Sequence, residues 1–156
     1  MKRLALTAGA TALAFALVRR FRGRHGGGHE EVVRAYFEAW SDGNGEAIRD
    51  LVADDYQAHV HTLGGTDERD AEELVSVVEN HAEAFSEVDY EVHEVISHNG
   101  CAAVRATMHA AVEETGREGE IDGIALLRFD DDKIVEEWSS WDYLDLANQL
   151  GLAKGR

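Results

Sequence analysis

The sequence predicts an α+β domain in which helices pack on one face of an antiparallel sheet. Three observations carry this reading. Apolar residues recur at helical spacing in three segments before residue 86, and the period changes to two from Val88 onward. An Asn-Gly pair at positions 99 and 100 then sits between two alternating runs, the strongest short-range hairpin signal a sequence offers.

The elements follow in order. From His29, the residues Val32, Val33, Tyr36, Phe37 and Trp40 form a stripe that can face a core, and Ser41-Asp42-Gly43-Asn44-Gly45 stops this first helix. A second, short helix turns Ile48, Leu51 and Val52 inward and ends near Ala53-Asp54-Asp55. Tyr56 to Thr62 reads as a short extended segment, broken by Gly64-Gly65. Asp70 and Glu73 have capping-box spacing, and Leu74, Val77, Val78, His81 and Phe85 mark a third helix. Val88, Tyr90 and Val92 alternate up to the Asn99-Gly100 turn, and the partner strand runs from Cys101 to about Val112. Gly116 and Gly119 mark a turn, Ile121 to Phe129 a strand, Asp130 to Lys133 a turn and Ile134 to Trp141 the last strand. A closing helix from Asp142 to about Leu150 ends at Gly151, a natural C-cap.

The chain has 156 residues, the size of one domain with length left for a tail. It divides into an apolar and basic leader with a glycine hinge (1–28), the α+β domain (29–151) and a short tail (152–156). Charge follows this division. Residues 1–29 carry six bases and no acid, whereas residues 30–156 hold 9 bases against 31 acids, a net −22. Such a body repels phosphate backbones, so nucleic acid is excluded as a partner. Lysine occurs only at positions 2, 133 and 154. Spread acidity of this kind fits a salt-adapted proteome, as in a halophilic archaeon, or an ordinary acidic protein. The single cysteine, Cys101, rules out an internal disulfide and reads as a small core residue.

In the leader, residues 4–18 are an uncharged run of 15, short of the roughly 20 apolar residues of a spanning helix. An anchor, a processed signal and a mis-assigned start or tail all stay open. The basic segment that follows favours the cytoplasm or the cytoplasmic face of a membrane over secretion.

Two stretches, VVRAYFEAWSDGNGEAIRDLVADDY at 32–56 and LLRFDDDKIVEEWSSWDYLDLANQLG at 126–151, resemble the SnoaL-like polyketide cyclase, or ester cyclase, family of the nuclear transport factor 2-like superfamily. The resemblance implies a cone-shaped, curved antiparallel or mixed sheet wrapped by about three N-terminal helices and a short C-terminal one, here behind a leader helix. It also implies a closed pocket with an ionisable residue at its base, one Asp working as general acid/base, no metal or organic cofactor, and a homodimer formed through the open sheet face. At the terminal strand the family's two Asp positions fall on Ser139 and Asp142. A serine cannot take the proton a carboxylate takes, so Asp142 inherits the role. The family also resembles this chain in carrying a histidine near position 59 and an arginine at 105. Its hairpin beyond His109 is commonly longer, so substrate contacts there do not carry over.

Other residues are weighed beside these. His59 and His61, at i and i+2, share one face of a strand. They read as proton shuttles, as metal ligands if His109 supplies a third, or as surface histidines. Trp138 and Trp141 face opposite sides, one as core and one as pocket wall, or both as packing. Tyr36 and Trp40 are core or wall, and Arg105 is a pocket donor or an outward residue. The acids at 130–132 and the pair Glu136-Glu137 read as a turn and a solvated strand face. Two functions compete. One is a cofactor-independent isomerase, cyclase or hydrolase of a small apolar carbonyl metabolite, with Asp142 as acid/base, His59 as polariser, and Tyr36, Trp40, Arg105, His109, Trp138 and Ser139 as substrate contacts. It requires Asp142 and His59 to open onto one cavity. The other is a non-catalytic ligand-binding or dimerisation domain, tethered to a membrane through residues 4–18.

Overall fold

The computed structural model describes residues 28–62 and 64–152. The leader and the last residues of the tail lie outside them. Helix α1 (Gly28–Ser41) opens with Glu30 and Glu31 in its first turn, where acids complement the helix dipole. It buries Val32, Val33, Tyr36 and Phe37. Gly43, at φ +62°, ends the following turn, and a Cβ there would run into Ala82. Asn44 then caps α2 (Gly45–Leu51) by accepting from the Ala47 amide at 3.0 Å.

Val52 is not helical, contrary to the sequence reading. It leaves α2 with extended dihedrals and opens strand β1 (Val52–Thr62), four residues earlier than expected. The glycines after it do not end the sheet. They turn β1 into an antiparallel hairpin with β2 (Gly65–Asp70). This strand has no apolar residue and stands almost wholly exposed at the sheet edge, so no hydrophobic alternation announces it. Asp70 closes β2 and caps α3 (Ala71–Ala84), with the capping box formed in full.

Strands β3 (Glu87–His98) and β4 (Cys101–Val112) are joined by Asn99 and Gly100, both at positive φ, as a two-residue type I′ hairpin requires. Strand β5 (Arg117–Asp130) begins two residues before Gly119, so the turn rests on Gly116 alone, at φ +63°. Strand β6 (Lys133–Trp141) and helix α4 (Tyr143–Gln149) complete the domain, and Gly151 at φ +73° stops the helix.

The sheet order is β2-β1-β6-β5-β4-β3, with only the β1–β6 pair parallel. Its inner face is the core. Ala102, Val104, Ala106, Met108 and Ala110 of β4 and Ile121, Ala125, Leu127 and Phe129 of β5 are buried there at every second position, under the helices. Cys101 stands one position out of that row and is half-buried rather than core. The outer face carries exposed Ile96, Ile124, Leu126 and Trp138.

Candidate functional site

Strand β6 sends Glu137, Ser139 and Trp141 inward. Glu137 is 7% exposed. A lone carboxylate in that position would be costly. Tyr36 of α1 and Tyr56 of β1 offset the cost by donating their hydroxyls to Oε2 at 2.6 and 2.9 Å. Both donors sit on one oxygen, and among the described residues no hydrogen bond reaches Oε1. Around the carboxylate lie Tyr90 of β3, Leu74 of α3, Arg69 of β2 and Tyr143 of α4, enclosing a cavity of about 20 Å³, room for roughly one water. Trp141 forms part of the wall and packs on Phe37 and Tyr90 with ring centroids at 6.4 and 5.5 Å. Gly123, its register partner, leaves the indole its seat, because a Cβ there would clash with the ring.

The electrostatics follow from burial. Desolvation, and then the Glu137 charge, push the Tyr36 and Tyr56 phenols well above their usual range. Burial does the same to Tyr90 and lifts Tyr143 to about 12. All four are therefore protonated donors at neutral pH. His81 of α3, edge-on to Trp40 at 5.5 Å, is lowered to about 4 by burial and by the Arg69 charge, so it is neutral.

Several residues singled out in the sequence lie elsewhere. Asp142 is exposed, and its carboxylate accepts the Asp145 amide at 3.0 Å as the N-cap of α4. His59 is on the outer face, stacked on Trp138 at 4.0 Å and within 3.4 Å of Glu136. The two do not open onto one cavity, so the pairing of Asp142 as acid/base with His59 as polariser is not made. Trp138, 44% exposed, is outside as well, and Trp141 is the wall. Arg105 points outward to Glu94 at 3.0 Å, and His109 lies on the outer face near Glu91 and Glu120. His61 reaches Thr66 on the neighbouring strand. His109 is on β4, separated from β1 by β6 and β5, and among the described residues no group of three acids, histidines or cysteines is arranged to hold a metal. Tyr36, Trp40 and Ser139 do line the cavity.

Glu137 is the residue the sequence reading missed, taken with Glu136 as one solvated face. The available signal was period two: Glu137 precedes Ser139 by two positions and must share its face.

Comparison with known proteins places this geometry. The profile of the SnoaL-like domain family matches residues 33–137. No curated protein matches the chain. Among solved structures, IdmH of Streptomyces antibioticus, a proposed polyketide cyclase, is 24% identical, with a TM-score of 0.69 over 78% of this chain and 97% of its own. A proposed SnoaL-like polyketide cyclase from Jannaschia sp. CCS1 is 14% identical, with a TM-score of 0.71 over 86% and 99%. An epoxide hydrolase from M. tuberculosis, of the LEH-like kind, is 12% identical, with a TM-score of 0.64 over 80% and 90%. At these identities the likeness is one of fold. The family match spans more than half of the chain and contains Tyr36, Tyr56 and Glu137: the protein belongs to the SnoaL-like domain family.

Proposed function

We propose that the cone interior is a cofactor-independent acid/base site for a small carbonyl compound, with Glu137 in the role first read for Asp142. The observation that carries this is the buried carboxylate with both tyrosine donors on Oε2. The two phenols fix the group and leave Oε1 as the lone-pair donor. In the step, the bond from carbon to its α-hydrogen breaks, the proton goes to Oε1, and the electron pair moves onto the carbonyl oxygen as an enolate. Return of the proton at another atom is isomerisation, and attack of the enolate carbon on a second carbonyl, whose oxygen takes the electron pair and then the proton from Oε1, is cyclisation. With the Tyr36 and Tyr56 protons held on Oε2, Ser139 and the protonated phenols of Tyr90 and Tyr143 are the donors at hand for the enolate oxygen. The cavity as it stands has room for about one water, so a substrate enters by displacing the rim side chains Trp40, Arg69, Trp141 and Tyr143, which keep partial exposure. Deuterium uptake by 2-butanone in D₂O tests the reading. The wild-type protein should exceed the buffer blank, and Glu137→Gln should fall to it.

A second reading is favoured by the smallness of the cavity and by the apolar outer face, where Ile96 is 71% and Ile124 is 64% exposed. Here the domain is a non-catalytic dimer that pairs through this face. Sedimentation of the wild type against Ile124→Glu tests the pairing, and deuterium exchange by the wild type that persists in a monomeric Ile124→Glu contradicts this reading. No helix among the described residues is long and apolar enough to cross a membrane. A membrane tether would therefore rest on residues 4–18, and fractionation of the full chain tests it.

A further inference from the structure

We infer that Arg69 makes the site selective for small oxo acids, carbonyl compounds that carry a carboxylate, rather than for neutral apolar carbonyls. The inference rests on the acid/base reading of Glu137 and adds the class of its substrate.

Arg69 lies on edge strand β2, in register with Ala58 of β1. Its side chain turns to the inner face, where it lines the same cavity as Glu137. Only 22% of that side chain is exposed, yet its recorded partner among the described residues is a single Asp67 oxygen at 3.7 Å, on a carboxylate that is 58% exposed. A guanidinium offers five N–H donors in a planar fork, and one long contact to a solvated carboxylate leaves most of them unused. Its charge is felt inside the cone, where it helps hold His81 neutral and draws the Tyr143 phenol down against the effect of burial.

The cavity thus has one anionic group, at its base, and one cationic group, at its rim, with phenols, a serine and apolar side chains between them. A ligand that suits both ends has an acidic C–H for Glu137 and an anionic oxygen pair for the fork of Arg69. The bidentate geometry favours the ligand over the long Asp67 contact. A neutral ketone of the same size satisfies Glu137 alone and leaves the guanidinium unmatched.

Two probes test this, 2-oxobutanoate and 2-butanone. Deuterium uptake of each is divided by its own rate in buffer, and the ratio of the two is the preference. The wild type should favour the oxo acid by about tenfold, the lower end of what hydrogen bonds to a charged group are worth. Arg69→Met should bring the preference to about one, and Arg69→Lys, which keeps the charge without the fork, should fall between. The melting temperature, raised by 2-oxobutanoate in the wild type and unmoved in Arg69→Met, gives a reading independent of turnover, with Arg69→Gln as the substitute if Arg69→Met does not fold. Exchange of both probes without preference overturns the role of Arg69 and leaves that of Glu137. No exchange, with the oxo acid still raising the melting temperature through Arg69, overturns the acid/base reading and leaves the binding site. Absence of an oxo-acid-specific rise in melting temperature together with no preference overturns the inference.

Discussion

Strand β6 presents a glutamate, a serine and a tryptophan to each face of the sheet. Glu137, Ser139 and Trp141 go inward, and Glu136, Trp138 and Ser140 go outward. The same three residue types meet different surroundings. Inside, Glu137 is held by two buried phenols and Trp141 is wedged on Gly123. Outside, Glu136 pairs with exposed Arg128 and with His59, and Trp138 stacks on that histidine in contact with water. Chemistry-bearing residues therefore do not mark the site by type. What separates the two sets is desolvation, which makes a hydrogen bond hard to replace and a charge hard to tolerate, and a slip of one residue in register would exchange them.

Substitutions in matched pairs sharpen the contrast. The largest difference is expected for the tryptophans. Trp141→Ala removes packing against Phe37 and Tyr90 and should cost about 3 kcal/mol in urea unfolding, within the usual range for a large aromatic. Trp138→Ala should cost less than about 1 kcal/mol. A similar loss for both would mean that the outer face is covered in solution. The glutamates come next. Glu137→Ala leaves two buried hydroxyls without an acceptor, at about 2 kcal/mol, against about 0.5 kcal/mol or less for Glu136→Ala, whose ion pairs reach solvent. Asp142→Ala should cost about 1 kcal/mol as a lost N-cap, with exchange activity kept.

The remaining prediction is a slope with pH rather than a fixed loss. His81 titrates near 4 when folded and near 6.5 when unfolded, so the unfolded chain binds the extra proton between these values. Its contribution to stability is present above about pH 6.5 and is lost as the pH falls toward 4. His81→Gln should flatten that part of the stability curve relative to the wild type, and an unchanged slope would place the imidazole in water.

Much of this fold could be read from the sequence because local chemistry and tertiary contacts agree. Asp70 and Glu73 form their box, Asn99-Gly100 forms its hairpin, and Gly151 stops α4. Strand β2 was illegible because GTDERD has no apolar residue, and its pairing with β1 rests on the backbone ladder and on polar contacts such as Thr66 to His61. The site divides in the same way. Tyr36, Trp40 and Ser139 sit on faces fixed by helical or strand period, and they line the cavity. Glu137 was hidden because charge in a strand suggests solvent, whereas two tyrosines distant in sequence supply its donors. Asp142 invited a catalytic role at a strand end, where the start of α4 uses it as a cap. Arg69 lay on the strand that could not be seen.

The contrast between the faces is tested most directly by deuterium uptake of 2-butanone with Glu137→Gln, Glu136→Gln and Asp142→Asn measured side by side. The account predicts that Glu137→Gln falls to the buffer blank, by at least about a hundredfold for a lost general base, while the other two stay within about twofold of the wild type. Loss of exchange in Asp142→Asn or Glu136→Gln, with Glu137→Gln still active, would contradict it.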